Sequence, residues 1–282
     1  MSGVGFVVHG GRDEAVEAAR RLIEAVRHAG VSTHALDERV GADHTDQGSF
    51  SDGVDVVVSV GGDGTFLRAA QLAAQAGCPV LGVKVGRMGF LTEVDPDGAA
   101  ELIGEALAGR APVEERLALS AHPQGTEWST PQWALNEVIV EKRARHRVIR
   151  LAVYVEGTYV TTFSGDGVIV ATPTGSTAYS FSARGPIVSP DLDCLVVTPV
   201  AAHMVFDRSF VLPPHESVML EVAGDEPGFL SADGRASLEL PVGATVTVGA
   251  AAGPSRLIRR PGGESFYSRV RDKFDLPGDP PP

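Results

Sequence analysis

One sequence feature limits the possible folds of this chain most strongly. It is a strand of the fully buried type, followed directly by a glycine-rich turn and a helix. Residues 54–60 read VDVVVSV, a continuous apolar run typical of a strand covered on both faces. GGDGT follows at 61–65, and FLRAAQLAAQAG then shows helical spacing. Because parallel strands need a crossover to return, this order predicts a parallel α/β sheet.

The same alternation surrounds this unit. Apolar runs at 4–8 and 78–86 predict strands, and periodic stretches at 13–30 and 101–110 predict helices. The sequence therefore predicts a Rossmann-like α/β domain over residues 1–115.

The pattern changes after Pro112. Short β-type runs, punctuated by turn residues at intervals of about ten residues, predict a β-rich, sandwich-like domain over residues 116–252. We expect residues 253–282 to pack back on the N-terminal domain and to end in a disordered tail, LPGDPPP.

Composition and charge exclude several classes of protein. Of 282 residues, 43% are hydrophobic, which excludes a disordered chain, and the net charge of −12 argues against a nucleic-acid binder. Cys78 and Cys194 are too few for a disulfide scaffold, and we expect both to be buried. The sequence has no apolar run of the roughly 20 residues that a membrane helix requires. We therefore expect no membrane partner and a cytoplasmic location.

The glycine-rich turn itself suggests phosphate chemistry. Its glycines let backbone N–H groups approach a ligand, and the following helix N-terminus favours an anion. Asp63 repels phosphate unless it holds Mg²⁺ or takes a proton from an attacking hydroxyl, and both roles belong to phosphoryl transfer. The alternative is a plain turn in which Asp63 caps the helix.

Three further stretches carry polar groups that suit a ligand. Asn136 and Glu137 begin a β-branched run and could hydrogen-bond a ribose or a base edge, or be solvated at a junction. Residues 164–188 contain a GDG turn and a hydroxyl-rich turn, whose hydroxyls either bind a ligand or close the turn. The basic stretch 142–150 either holds phosphates or forms a solvated hairpin.

Taken together, GGDGT, the Asn-Glu pair, GDG…TPTGSTAYSFSA and SADGR resemble the NAD kinase family along nearly the whole chain. The resemblance implies transfer of a phosphoryl group from ATP or polyphosphate to the 2′-hydroxyl of the NAD adenosine ribose, giving NADP. It also implies Mg²⁺ as the divalent cation, held largely by nucleotide phosphates without a separate protein metal site. A homodimer or homotetramer is implied as well.

The resemblance assigns roles to individual residues. Asp63 matches the catalytic base. The positions that match ligand-binding ones are Gly64, Arg68, Phe90, Asn136, Glu137, Arg147, Asp166, Thr174, Thr177, Ala178, Tyr179, Ser180, Phe181, Ser182, Ala201 and Arg235. Among these, Phe90 is expected to pack on the adenine, Asn136 and Glu137 to hold the ribose and base, and Asp166 to contact the nicotinamide end.

Two departures from the family pattern bear on specificity. Lys84 replaces a short amide and either attracts an extra phosphate or neutralises a neighbouring carboxylate. Arg184 stands where the family usually has glycine. Two alternatives therefore stay open: a kinase of the same fold acting on a lipid, sugar or modified nucleotide, and a non-catalytic dinucleotide-binding module.

Overall fold

The computed structural model describes residues 2–46, 48–87, 89–202, 204–235 and 237–277. The chain forms two compact units. The first comprises the chain up to Glu115 together with the segment from Ser255 onward, and the second is Arg116–Pro254. Residues 278–282 of the predicted disordered tail lie outside the described residues.

In chain order, the elements of the first unit come partly before and partly after those of the second unit. The first stretch contains β1 (Gly3–Val8), α1 (Asp13–His28), β2 (Ser32–Ala35), β3 (Asp43–His44), β4 (Val56–Gly61), α2 (Asp63–Ala76), β5 (Val80–Lys84), α3 (Pro96–Leu107) and β6 (Val113–Arg116). The second unit contains β7 (Leu119–Gln124), β8 (Gln132–Ala134), β9 (Glu137–Lys142), β10 (Ile149–Val155), β11 (Thr158–Gly165), β12 (Gly167–Ala171), α4 (Tyr179–Ser182), β13 (Leu195–Val200), β14 (Phe210–Leu212), β15 (Val218–Ala223), β16 (Gly228–Ala232), β17 (Leu238–Leu240) and β18 (Thr245–Ala250). The chain then returns through β19 (Ser255–Ile258) and α5 (Phe266–Lys273).

The first unit is built on one sheet with the order β3-β2-β1-β4-β5-β19-β6. Strands β1, β2, β4 and β5 pair in parallel, and β19 continues this parallel pairing beside β5. The strand from the C-terminal segment therefore lies inside the sheet and not at its edge.

The valine run of β4 explains why this sheet forms the core. Val56, Val57, Val58 and Val60 are each at most 1% exposed. α1 and α3 pack their apolar residues against alternate positions of β4, and α2 contacts the same strand through residues such as Phe66. Because helices cover the sheet, its central strand has no solvent face and therefore no polar alternation.

The second unit is a β-sandwich. Its two antiparallel sheets have the orders β11-β10-β15-β18-β7-β8 and β14-β13-β12-β9-β16-β17. Alternate residues of both sheets, such as Leu151 and Val246 in one and Val140 and Val197 in the other, meet in a single apolar cluster. This alternation is typical of sheets that bury one face against each other.

These observations confirm the predicted fold class, an N-terminal α/β part and a β-rich part. Cys78 and Cys194 are both buried, as expected. Within the described residues, no helix has the length and apolar character needed to cross a bilayer.

Candidate active site

The glycine-rich turn lies where β4 ends and α2 begins. Gly62 is the N-cap residue of α2, and Asp63 is its first residue. A Cβ at Gly61 would meet Thr65 Oγ1 at 2.7 Å, whereas a Cβ at Gly62 or Gly64 would meet nothing within 4 Å. Gly61 is therefore required for close packing within the turn, while Gly62 and Gly64 leave open space in front of the helix N-terminus.

The Asp63 carboxylate is held by a second backbone segment. Its Oδ2 accepts a hydrogen bond from the Phe90 N–H at 2.9 Å, and its Oδ1 accepts one from the Leu91 N–H at 3.1 Å. A Cβ at Gly89 would lie closer than 3.0 Å to both carboxylate oxygens. Since a carboxylate has about four acceptor sites, two remain for a ligand hydroxyl.

Other predicted residues of the first unit have different surroundings. Arg68 is exposed on α2. The Phe90 ring packs 6.2 Å, centroid to centroid, from each of the rings of Phe266 and Phe274, so the C-terminal segment already covers part of it. The Lys84 ammonium lies 3.1 Å from Asp95 Oδ1, which favours the interpretation that it neutralises a carboxylate.

In the second unit, the backbone fixes the Asn136-Glu137 pair. Asp233 accepts hydrogen bonds from the N–H groups of Leu135, Asn136 and Glu137 at 2.8 to 3.1 Å. The backbone of Asp233 is left-handed, with φ of 51°. Residues 135–137 therefore start β9 with their N–H groups converging on one carboxylate.

The side chains of this pair suit a ligand with donors. Asn136 and Glu137 are each only 8% exposed. Among the described residues, Asn136 Oδ1 and Glu137 Oε2 are buried without a hydrogen-bond partner. Buried polar atoms without partners cost free energy, and a ligand hydroxyl, which can both donate and accept, would satisfy them.

Burial also changes the protonation of this site. Desolvation, with the nearby Asp233 carboxylate second, raises the pKa of Glu137 to about 8, although the Tyr179 N–H acts in the opposite direction. Desolvation raises the pKa of Asp233 too, against the pull of its backbone donors and of Arg235. Burial lowers the pKa of Arg235, which donates to the Trp133 carbonyl. Since three N–H groups donate to Asp233, its ionised form is the better stabilised of the two, and we assign the protonated form to Glu137.

The hydroxyl-rich turn packs directly on the Asn-Glu pair. The Asn136 carbonyl accepts from the Thr172 N–H at 2.9 Å, and a Cβ at Gly175 would clash with that carbonyl. Gly175 is therefore required by this close approach of two backbones. Two of the four sequence motifs meet here within one unit.

Most hydroxyls of this turn have intramolecular partners. Thr174 Oγ1 accepts from the buried Arg116 at 3.1 Å, and Thr177 Oγ1 donates to the Thr174 carbonyl at 3.3 Å. Ser180 exchanges a hydrogen bond with Thr198 in the interior. These contacts favour turn closure for Thr174, Thr177 and Ser180, whose predicted ligand contacts remain predictions.

A cavity of about 460 Å³ opens beside α4. The predicted residues Tyr179, Ser182 and Ala201 line it together with Arg184. Arg184 has φ of 68°, a left-handed conformation that glycine adopts without strain. Ala178 and Phe181 flank Tyr179 and Ser182 along the chain, and Phe181 is 38% exposed.

Two residues that were predicted to contact the ligand, Asp166 and Arg147, form ion pairs within the chain. Asp166 precedes β12, and its carboxylate pairs with Lys142 of the basic stretch. The Nε atom of Arg147 lies 3.4 Å from Glu226 Oε1. A ligand that contacts Asp166 therefore meets a carboxylate that already accepts from Lys142 through Oδ1. Among the described residues no group of three or more His, Cys, Asp or Glu side chains is arranged to hold a metal ion.

Sequence reasoning missed three groups that shape the site. Asp233 lies in the SADGR segment, but nothing in that segment indicates that its carboxylate supports residues 135–137. Gly89 and the N–H groups of Phe90 and Leu91 hold Asp63, and the only signal for this was the glycine in RMGFL. Lys142 belongs to the basic stretch, where charge alone does not single it out.

A helix N-terminus that favours an anion and a carboxylate that can take a proton from a hydroxyl together suit a phosphotransferase. Comparison with known proteins supports this class. Residues 4–111 match the family model for the ATP-NAD kinase N-terminal domain, and residues 135–260 match that for the ATP-NAD kinase C-terminal domain.

Individual relatives agree. NAD kinase of Rhodococcus opacus (strain B4) is 38% identical, covering 96% of this chain and 92% of that protein. NAD kinase of Mycobacterium leprae (strain Br4923) is 39% identical, covering 96% of this chain and 94% of that protein. The chain therefore belongs to the NAD kinase family.

Solved structures share the fold. The structure of an Archaeoglobus fulgidus NAD kinase in complex with ATP has a TM-score of 0.73 and 26% identity, covering 97% of each chain. The yeast NADH kinase complexed with NADH has a TM-score of 0.87 over 97% of this chain and 87% of that chain. At 22% identity, the yeast structure supports the fold alone.

Proposed function

We propose that this protein phosphorylates NAD to NADP, with ATP or polyphosphate as the phosphoryl donor. Family membership supports the reaction, and the archaeal relative was solved with ATP. The observation that carries the proposal for this chain is the Asp63 carboxylate at the N-terminus of α2, held by the Phe90 and Leu91 N–H groups.

In the proposed step, Asp63 accepts the proton of the ribose 2′-hydroxyl. The 2′-oxygen forms a bond to the γ-phosphorus of ATP, the bond from that phosphorus to the β,γ-bridging oxygen breaks, and ADP leaves. Mg²⁺ enters with the nucleotide as part of the substrate, and Gly62 and Gly64 leave space at the helix N-terminus for phosphate oxygens.

The Asn136-Glu137 pair is proposed to recognise the acceptor. Buried Asn136 Oδ1 can accept a hydrogen bond from a ribose hydroxyl or an adenine amino group, and the Glu137 carboxyl can exchange one with a ribose hydroxyl. Tyr179, Ser182 and Ala201 are proposed to line the dinucleotide through the cavity that they share. The roles of Gly64, Arg68, Arg147, Asp166 and Arg235 as ligand contacts remain predictions.

The remaining expectations concern the assembly and the cell. We propose a homodimer or homotetramer, which sedimentation velocity tests directly, and a cytoplasmic location. Because Lys84 is paired with Asp95, the charge of Lys84 does not by itself favour a different phosphorylated acceptor.

The test is NADP formation by purified protein with NAD⁺, Mg²⁺ and either ATP or polyphosphate, read by an NADP-specific dehydrogenase. Asp63→Asn should lower kcat by about 10² to 10⁴, the usual contribution of a positioned general base. NAD binding measured by calorimetry should be largely retained. A folded wild-type protein that forms no NADP with either donor would contradict the proposed function.

A further inference from the structure

A buried cluster of charged side chains joins the C-terminal segment to the stretch between β5 and α3. Its centre is Glu93, whose side chain is 2% exposed. Glu93 Oε2 accepts from Arg269 Nη2 at 2.8 Å and from Arg259 Nη1 at 2.9 Å, and its Oε1 accepts from the Arg260 N–H at 3.0 Å. The side chains of Arg259 and Arg269 thus bind the same carboxylate oxygen of Glu93.

Arg269 differs from Arg259 in what its other nitrogen does. Arg269 Nη1 donates to the carbonyls of Phe90 and Thr92, at 3.1 and 2.8 Å. Arg259 instead pairs with Glu114 through its Nε. Of these two side chains, Arg269 is the one that connects Glu93 to the carbonyls of Phe90 and Thr92.

One peptide group links Arg269 to Asp63. The carbonyl of Phe90 accepts from Arg269, and the N–H of the same peptide, which belongs to Leu91, donates to Asp63 Oδ1. A cation at the carbonyl polarises the peptide and strengthens the bond that its N–H makes, since linked hydrogen bonds reinforce one another. The guanidinium thus acts on the Asp63 carboxylate without touching it.

Aromatic packing fixes the same segment from the same side. The rings of Phe266, at the start of α5, and of Phe274, just after its end, both pack on Phe90. Arg269 lies on α5 between them, and its side chain is 7% exposed. Residue 90 is therefore held by its ring and by its carbonyl.

We propose that Arg269 is a positioning residue for phosphoryl transfer, which orients the Asp63 carboxylate through the Phe90–Leu91 peptide. This inference rests on the proposed function of Asp63. A guanidinium is required because it presents several donors in a fixed plane, which lets Arg269 bind Glu93 and two carbonyls at once. Lysine, as a single charged group, cannot reproduce this set of contacts.

The kinetic test compares two arginines that bind the same buried oxygen. In Arg269→Gln, Glu93 keeps Arg259, and in Arg259→Gln it keeps Arg269. We expect Arg269→Gln to lower kcat by about tenfold or more, since misplacing a reacting group is costly. The KM for NAD should change by no more than about twofold, because substrate contacts are intact. Arg259→Gln should keep kcat near the wild-type value, although its thermal unfolding midpoint should be comparable to that of Arg269→Gln. The kcat of Arg269→Lys should lie between those of Arg269→Gln and wild type.

A spectroscopic readout follows the peptide itself. Labelling leucine with ¹⁵N and the phenylalanine carbonyl with ¹³C selects the Phe-Leu peptides, which occur at 66–67, 90–91 and 229–230. A Leu91→Met variant removes one signal and thereby assigns the Leu91 amide, and the signal of Leu230, which lies in the second unit, is the internal reference. We expect the Leu91 amide resonance to move in Arg269→Gln and to stay in place in Arg259→Gln.

The outcomes separate the two hypotheses. If wild-type protein forms no NADP, the proposed function fails, and the Leu91 resonance alone decides whether Arg269 positions the peptide. If wild-type protein is active, an Arg269→Gln variant with wild-type kcat overturns the inference. Equal losses of kcat and thermal stability in both arginine variants would also overturn it, because they would indicate only a structural role.

Discussion

Asp63 shows how one residue depends on a distant glycine. Its carboxylate occupies the space in which a side chain at residue 89 would lie, and the next two N–H groups bind it. Sequence reasoning identified Asp63 from its turn and helix, which are local. The partner segment is more than twenty residues away along the chain, so its contact could not be predicted from the turn.

We predict that Gly89→Ala lowers kcat for NADP formation by about tenfold or more, because the added Cβ displaces the Asp63 carboxylate. Steady-state kinetics with NAD and ATP measures this. Gly104→Ala is the matched control, since its Cβ on α3 would meet nothing within 4 Å. It should keep wild-type kcat and gain about 0.5–1 kcal/mol in unfolding free energy. Wild-type kcat in Gly89→Ala would contradict the prediction.

Glu137 shows how burial changes the protonation of a residue that the sequence had placed in the Asn-Glu pair. The pKa of its folded carboxyl is raised to about 8 from 4.5. The folded state therefore binds more protons than the unfolded state between these values, and its stability falls as pH rises through that window. Only burial beside Asp233 produces this behaviour, and the sequence does not reveal it.

We predict that Glu137→Gln stabilises the ligand-free protein increasingly from pH 5 to pH 9. The neutral amide avoids the cost of ionising the buried carboxyl, whose upper limit is about 5 kcal/mol at about 1.4 kcal/mol per pKa unit. Urea unfolding at several pH values measures the difference. Exposed Glu127→Gln is the control and should show no such trend. A Glu137→Gln difference that is independent of pH would count against the raised pKa.

At the scale of elements, β4, the glycine-rich turn and α2 were the most predictable part of the chain. A run of valines, three glycines and a helical apolar pattern are local signals, and each is realised in the structure. The segment between β5 and α3 was less predictable, because its shape depends on α5. Arg269 and Glu93 are 176 residues apart, and no local pattern connects them.

We predict that Glu93→Gln destabilises the protein by about 3–5 kcal/mol, because it leaves the buried Arg269 guanidinium without its counter-charge, whereas Arg259 keeps Glu114. Urea unfolding followed by circular dichroism measures it. Glu105→Gln is the control: Glu105 pairs with Arg110 at 2.7 Å, but both side chains are exposed. Solvent screens such a pair, so no measurable change is expected. A similar loss in both variants would contradict the assignment.

At the scale of the whole molecule, the first unit is discontinuous in sequence. Its sheet includes β19, which lies between β5 and β6, and its helices include α5. The second unit is one continuous stretch with its own apolar cluster. The first unit therefore needs residues from both sides of the second unit in the sequence.

We predict that a chain ending after Pro254 loses the order of the first unit but keeps that of the second. Removal of β19 leaves unpaired backbone groups inside a parallel sheet, which is costly. Limited proteolysis with mass spectrometry should yield a resistant fragment close to residues 116–254 from the truncated chain. Wild-type protein is the control and should resist cleavage in both units. Equal resistance of the first unit in both chains would contradict the prediction.

The sequence by itself determined the two-part fold class and the identity of the motifs, because apolar periodicity, glycine placement and residue order are local properties. It also placed Asp63, Asn136 and Glu137 among the candidate site residues. Only the tertiary structure decided which groups support them: Gly89 and Arg269 for Asp63, and Asp233 for the Asn-Glu pair. The reason is physical: hydrogen bonds and burial depend on distances in space. Residues that are remote in sequence come within those distances only when the chain folds.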